Sequence, residues 1–356
     1  MRVGIVGLPY SGKSTLFEAI TGAHGTGSDR SGAAQVATIA VPDERIDKIA
    51  QTIQPKKVTY AHVDFVDVAG VGSEMEREQV LSTLSALRES DGLVHVIRFF
   101  DSPSAPPHPR KTLDPIRDAK EMEAELIVAD LAIVEGRVQK LEKQITKFTA
   151  TLEKDKKELA LMQRMQKALE TGELIRTLSM TAEESLLLRT FQFLSEKPML
   201  KVLNVHEDAL HTPETAAMLA KLGANSIAIS ARAEKDIAEL EPAERQEFLD
   251  ALKIGEPAAR RIIRACYDAL GLRSFITAGE PDVHAWTIRV GDNALTAAGK
   301  IHSDIARGFI RAEVIGYKDF EEFGSIKEAK NQGRQRLEGK EYVVQDGDII
   351  TVRFKV

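Results

Sequence analysis

Apolar and polar positions along this chain fall into blocks, and the blocks change character twice. Short apolar runs at residues 3–6, 36–41, 61–68, 93–99, 199–205 and 226–230 have the length and content of buried strands. The first is followed by Leu16-Phe17-Glu18-Ala19-Ile20, which reads as helix, and residues 44–52 set Ile46 and Ile49 at i, i+3 spacing. Strand–helix alternation of this kind predicts an α/β fold built on a doubly wound sheet. Between residues 111 and 195 the alternation stops. Leu131, Val134, Val138, Leu141, Ile145, Phe148 and Leu152 recur at three- and four-residue steps, the seam of a coiled coil. Asp155 breaks the seam, and Leu159, Met162, Met165 and Leu169 resume it. This predicts an antiparallel helical hairpin with its tip within 150–157. The Lys-rich run Lys154-Asp155-Lys156-Lys157 there is a solvated end or, on a sharper reading, a contact for RNA or an acidic partner. From residue 273 onward short strands return at 286–290, 309–315 and 349–356, with a short helix at 294–300 and an Asp346-Gly347 turn. Short strands around a helix predict a small β-grasp-like binding module.

Composition narrows the class. The chain has 356 residues, 43% hydrophobic and 29% charged, enough for two or three soluble globular domains. A net charge of −6 argues against binding nucleic acid over the whole surface and leaves room for local basic patches, so no DNA partner is expected. Cys266 is the only cysteine, which excludes an intramolecular disulfide and fits a reducing cytosol. The chain enters its first strand at once, with no visible signal peptide, and no apolar run is long enough to cross a bilayer. The expectation is a cytoplasmic protein without a membrane partner.

The chemistry concentrates at strand ends. Gly7-Leu8-Pro9-Tyr10-Ser11-Gly12-Lys13-Ser14-Thr15 lies between the first strand and the first helix, the context of a phosphate-binding P-loop. Gly7 and Gly12 let several N–H groups converge on one anion, and the positive end of the following helix adds to the field. Lys13 would reach the β- and γ-phosphates, and Ser14 would give a hydroxyl to Mg²⁺. Asp67-Val68-Ala69-Gly70 ends the third strand; Asp67 can hold a Mg²⁺ water and Gly70 can bring a backbone N–H to the γ-phosphate. The fifth strand runs into Asn204-Val205-His206-Glu207 and the sixth into Ser230-Ala231-Arg232, the two strand ends that face the base in P-loop switch proteins. Guanine selection uses N-K-x-D, whose short aspartate takes two donors from the base. Here Val205 replaces the lysine and the longer Glu207 the aspartate, so guanine selectivity should be lost and adenine becomes the better ligand. His95, among apolar neighbours, reads as a core histidine.

Taken together, G-L-P-x-x-G-K-S-T, F-V-D-V-A-G, N-V-H-E-D, G-F-I-R-A-E-V-I and R-L-E-G-K-E-Y-V-V-Q-D-G-D resemble the YchF subfamily of Obg-type P-loop NTPases. The resemblance implies a G domain in two parts, residues 1–115 and 196–272, with a coiled-coil insertion at 116–195 and a TGS domain at 273–356. It also implies preference for ATP over GTP, slow hydrolysis to ADP and phosphate, and association with ribosomes or RNA through the hairpin and the TGS-like domain. Its N-x-x-E motif falls on Asn204 and Glu207.

The chain departs from that pattern at three places. Tyr10 stands where the pattern has Asn, an amide that helps hold a monovalent cation in potassium-stimulated relatives. The first switch, with its threonine, is replaced by residues 29–35, where Ser31 offers a hydroxyl to Mg²⁺. The second switch becomes the acidic stretch 71–78, and Val71 occupies the place of a water-orienting glutamine in Ras-like enzymes. A valine cannot hold the attacking water, so hydrolysis uses another group or is very slow. The nucleotide contacts expected are therefore residues 8–15, Gly70, Asn204, Val205, Glu207, Ser230, Ala231 and Arg232, with Ser14, Asp67 and Ser31 for the metal. A nucleotide-dependent scaffold with negligible hydrolysis, and a GTPase, are the alternatives.

Overall fold

The computed structural model describes residues 1–22, 35–68, 70, 76–102, 105–108, 111–146 and 151–355. They pack as two compact units, one of residues 1–37 and 64–261, the other of residues 38–63 and 262–356. In chain order the elements begin β1 (Arg2–Val6), α1 (Lys13–Thr21), β2 (Gln35–Ala40), α2 (Glu44–Ile53), β3 (Val58–Thr59), β4 (His62–Asp67), α3 (Arg77–Ser85) and β5 (Gly92–Phe99). The long helices α4 (Pro115–Gln144) and α5 (Leu152–Glu170) follow, then α6 (Ala182–Leu188), β6 (Met199–Val205), α7 (Pro213–Leu222), β7 (Ser226–Ile229) and α8 (Ala231–Glu239). The last part holds α9 (Pro242–Ala251), α10 (Ala258–Ala269), β8 (Leu272–Ala278), β9 (Val283–Arg289), α11 (Ala294–Ile301) and α12 (Ser303–Arg307). It ends with β10 (Phe309–Ile315), α13 (Tyr317–Phe323), α14 (Ile326–Asn331), β11 (Arg336–Glu338) and β12 (Ile349–Phe354).

The first sheet has the order β2-β4-β1-β5-β6-β7. The pairings from β4 through β7 are all parallel. Gly92 to Ile97 on β5 are buried without alternation, as a central parallel strand covered on both faces requires. Its polar member His95 is fully buried, as expected for a core histidine, and burial holds its pKa down at about 3, so the ring is neutral.

Helices α4 and α5 form the expected hairpin, and Val134, Val138, Leu141, Met162, Met165 and Leu169 share one buried cluster. The turn comes earlier than the sequence suggests. Helix α5 starts at Leu152, so Lys154, Lys156 and Lys157 sit in its first turns and not at a tip. Asp155, which interrupts the apolar seam, lies in the first turn of α5. Its carboxylate accepts from the Thr151 hydroxyl at 2.9 Å and lies where a helix start favours negative charge. Phe148 lies outside the described residues.

Asp130 of α4 pins the hairpin's root. It is fully buried and accepts from the N–H groups of Leu194 and Ser195, the Ser195 hydroxyl and the Arg88 guanidinium, all within 3.0 Å.

The second unit carries a sheet of order β11-β10-β12-β8-β9-β3, with β10 antiparallel to both neighbours and β12 parallel to β8. Phe275, Ile288, Ala297, Ala312, Val314 and Ile350 form its core against α11. Residues 38–63 belong to this unit through α2 and β3. Asp43 caps α2, and Arg45 forks between Asp43 at 2.8 Å and Asp346 at 2.7 Å. Asp346 also accepts from the Ser274 N–H, and Gly347 takes φ 81°, so the Asp346-Gly347 turn is present as the sequence predicts. No helix among the described residues is long and apolar enough to cross a membrane.

Removing the Asp130 carboxylate strands three buried donors and the Arg88 charge. Asp130→Ala is expected to cost about 3–5 kcal/mol. The check is urea unfolding followed by hairpin helicity, with Asp130→Asn losing less.

Candidate functional site

The site forms at the carboxyl ends of β1, β4, β6 and β7, where open parallel sheets bind ligands. After Val6 the chain turns through residues 7–12, with the Ser11 N–H donating to the Leu8 carbonyl at 3.3 Å, and α1 begins at Lys13. Gly12 takes φ 94°, a left-handed backbone, and a Cβ there would lie 2.2 Å from Asn204 Nδ2. Only glycine meets both demands. Tyr10 takes φ 62° with its side chain 54% exposed. Left-handed backbone is unfavourable for a bulky residue and easier for the Asn of the family pattern. Leu8 is buried, Pro9 and Thr15 are half-buried, and Ser14 is exposed.

Lys13 is buried and donates from Nζ to the Leu8 carbonyl at 3.0 Å. Burial lowers its pKa to about 8, against the opposing pull of Asp67. Gly70 lies close by: a Cβ at that position would be 2.8 Å from Lys13 Nζ and 3.0 Å from the Pro9 backbone. The P-loop and the Asp67–Gly70 turn are thus brought together as expected.

Asp67 ends β4 and accepts from the Ser14 hydroxyl at 3.1 Å through Oδ2, while Oδ1 is buried with no partner. Burial raises its pKa, with Lys13 the strongest opposing influence. One hydroxyl, one carboxylate and an unclaimed carboxylate oxygen suit a cation that takes oxygen ligands and keeps most of its waters, which is how Mg²⁺ binds. No group of three His, Cys, Asp or Glu side chains is gathered among the described residues. Ser11 Oγ is likewise buried without a partner inside the loop. Ser31, Ala69 and Val71 lie outside the described residues.

Asn204 sits near the end of β6, 4% exposed. Its Nδ2 donates to the Ser11 carbonyl at 3.0 Å, and its Oδ1 accepts from the Ala231 N–H at 3.0 Å. The amide joins the phosphate loop to the start of α8 and leaves one Nδ2 hydrogen uncommitted. Glu207 lies three residues on, exposed, in a 3-10 turn. Val205 turns its side chain into the core, 2% exposed, so a ligand can meet only its main chain. Ser230 caps α8 by accepting from the Ala233 N–H, and Ala231 is buried. Arg232 is exposed and pairs with Asp236 at 3.1 Å along the helix. The sequence reading missed the Glu18–Lys235 ion pair at 2.8 Å, which joins α1 to α8.

Two protein-family models match, one described as a 50S ribosome-binding GTPase over residues 2–129, the other YchF-GTPase_C, a protein of unknown function, over residues 272–355. The chain is 38% identical to the ribosome-binding ATPase YchF of Bacillus subtilis across the whole of both chains. It is 37% identical to the protein of that name from Haemophilus influenzae, covering 100% of this chain and 99% of the relative. The chain belongs to the YchF family. A solved structure titled the Schizosaccharomyces pombe YchF GTPase aligns with TM-score 0.82 at 28% identity, covering 99% of this chain and 97% of that one. The family's α/β P-loop fold is therefore the fold of this chain.

The position of Lys13 carries a pH signature. Its pKa near 8 in the free protein rises when an anion approaches. Below pH 8 both states hold the proton and affinity for a triphosphate is flat. Above pH 8 binding must take up a proton, so affinity should fall by up to about tenfold per pH unit. Calorimetric titration of Mg-ATP from pH 6.5 to 9.5 measures this, and Lys13→Arg should flatten the curve.

Proposed function

We propose that this chain binds Mg-ATP, hydrolyses it slowly to ADP and phosphate, prefers ATP to GTP, and associates with the ribosome or RNA according to its nucleotide state. The observation that carries the reading is the tie from Asn204 to the phosphate loop, with the exposed Glu207 three residues further along the chain. A base whose phosphates enter the loop then meets an amide hydrogen and a carboxylate. Glu207 can accept from the exocyclic amine of adenine, and it lacks the short reach with which aspartate takes both guanine donors. The names of the bacterial relatives support the ATPase and ribosome-binding parts of this reading. The fission-yeast structure is titled a GTPase, so base preference is a measurement to make on this chain.

In this reading the N–H groups of residues 8–15 and Gly70 face the phosphates. Lys13 holds the growing negative charge on the β–γ bridge. Ser14 and Asp67 hold Mg²⁺, which when bound neutralises phosphate charge. Residues 230–232 close the base end. The α4–α5 hairpin and the module from residue 273 present the partner surface.

Competition titration of ATP against GTP is the direct test, with ATP expected to bind at least about tenfold tighter. In single-turnover hydrolysis Lys13→Ala should be slower by about a hundredfold. Tighter GTP binding would favour the GTPase alternative. A wild type that binds ATP yet is as inert as Lys13→Ala would make the protein a nucleotide-dependent scaffold.

A further inference from the structure

A cavity of about 490 Å³ opens beside β7. Every residue around it lies within 210–261, inside the first unit. It flanks Ser226, Ile227 and Ala228, the amino-terminal part of the strand, whereas the Ser230–Arg232 turn follows the carboxyl end. β7 stands at the edge of its sheet, so no further strand among the described residues covers that side. The volume suits a small organic molecule.

The lining is apolar with a few charges. Leu219 and the buried Ile254 come from the apolar cluster that α7 and α9 share with the core. Lys253 and Arg261 bring two positive charges to the wall. Arg261 Nη2 donates to the Ala228 carbonyl at 2.8 Å, and no carboxylate among the described residues forms an ion pair with this guanidinium. Glu234, whose charge it feels, is itself pushed toward the neutral form by burial. Glu256 also lines the wall, engaged in an interaction of its own. Two cations against one acid leave one net positive charge, which matches a single carboxylate.

Lys253 stands there against its backbone preference. Helix α9 ends with the Lys253 N–H donating to the Asp250 carbonyl at 3.0 Å and the Ile254 N–H to the Leu249 carbonyl at 2.8 Å. That pair of bonds calls for a left-handed residue, usually glycine, and Lys253 takes φ 54°. A long cationic side chain occupies a place where glycine fits more easily. His211 fastens the surround, its Nε2 hydrogen going to the Leu252 carbonyl at 3.1 Å, so the entry to α7 is tied to the end of α9. The cavity is therefore formed before a ligand arrives.

We propose that this cavity is a second ligand site, apart from the nucleotide site, for a small monocarboxylic acid. Its apolar body would lie on Leu219, Ile227 and Ile254, and its carboxylate would pair with Lys253 and Arg261, the guanidinium giving directed hydrogen bonds.

The test titrates the full-length protein, free of nucleotide, with 2-naphthoate, its neutral methyl ester and acetate, following the methyl NMR signals of Ile227 and Ile254. Naphthoate should shift both signals to saturation. The ester keeps the rings and loses the charge, and should bind at least about tenfold more weakly. Acetate keeps the charge and loses the body, and should not saturate over the same range. Arg261→Met should weaken naphthoate binding by about tenfold or more, and Lys253→Gly by about fivefold or more. The glycine variant should melt no lower than the wild type, because glycine suits the left-handed position. Naphthoate that leaves Ile227 and Ile254 unmoved, equal affinity for acid and ester, or wild-type affinity in Lys253→Gly overturns the proposal. Affinity lost in Lys253→Gly only together with stability makes the lysine structural and also overturns it. If Arg261→Met does not fold, Lys253→Gly and the ester decide. Saturating Mg-ATP should leave the naphthoate shifts in place, and displacement would put naphthoate in the nucleotide site and overturn the proposal.

Discussion

The site depends on one buried carboxamide. Asn204 reaches from β6 to the Ser11 carbonyl in the phosphate loop and to the Ala231 N–H at the start of α8. Removing the side chain would leave a carbonyl and an N–H unpaired in a buried place, at about 1–3 kcal/mol each. The loop's shape is built around that contact. Gly12 adopts a left-handed backbone beside Asn204 Nδ2 with no room for a Cβ, so the tightest turn of the phosphate loop and the amide fit one another. The P-loop and the ends of β6 and β7 are therefore one mechanical piece, although nearly two hundred residues separate them.

Charge is arranged around that piece with little shielding. Lys13 is buried against a main-chain carbonyl, and Asp67 is buried with one oxygen bonded to Ser14 and the other unclaimed. Burial pushes each toward its neutral form, while each favours the charged form of the other. In the proposed reading a Mg-triphosphate would resolve both strains, since its negative oxygens suit the lysine and its metal suits the carboxylate. The neutral His95 and the apolar strands beneath keep the floor of the site low in polarity, which strengthens these interactions.

Much of this was readable in the chain because it is local. The strands at 199–205 and 93–99 are contiguous apolar runs, and the P-loop and the Asp346-Gly347 turn each declare themselves within a few residues. Long-range pairing was not readable. Arg45 meets Asp346 across 301 residues, so nothing near residue 45 announces that α2 packs with residues 262–356. Asp155 interrupts the apolar seam, and only the helix start at Leu152 shows why an acid is favourable there. Val205 was read from a motif slot, but its place on a buried strand sends the side chain into the core. Asn204 was read as a base contact, and its tether to the P-loop becomes visible only when the strands are placed side by side.

The measurement that reaches the centre of this account is the affinity of Asn204→Ala for inorganic tripolyphosphate with Mg²⁺, a ligand with no base to read. If the amide holds the phosphate loop in shape, binding should weaken by about tenfold or more in the folded variant, while Glu207→Gln leaves it unchanged. Tripolyphosphate affinity equal to wild type in Asn204→Ala would contradict the account, because the loop would then keep its form without the side chain said to hold it.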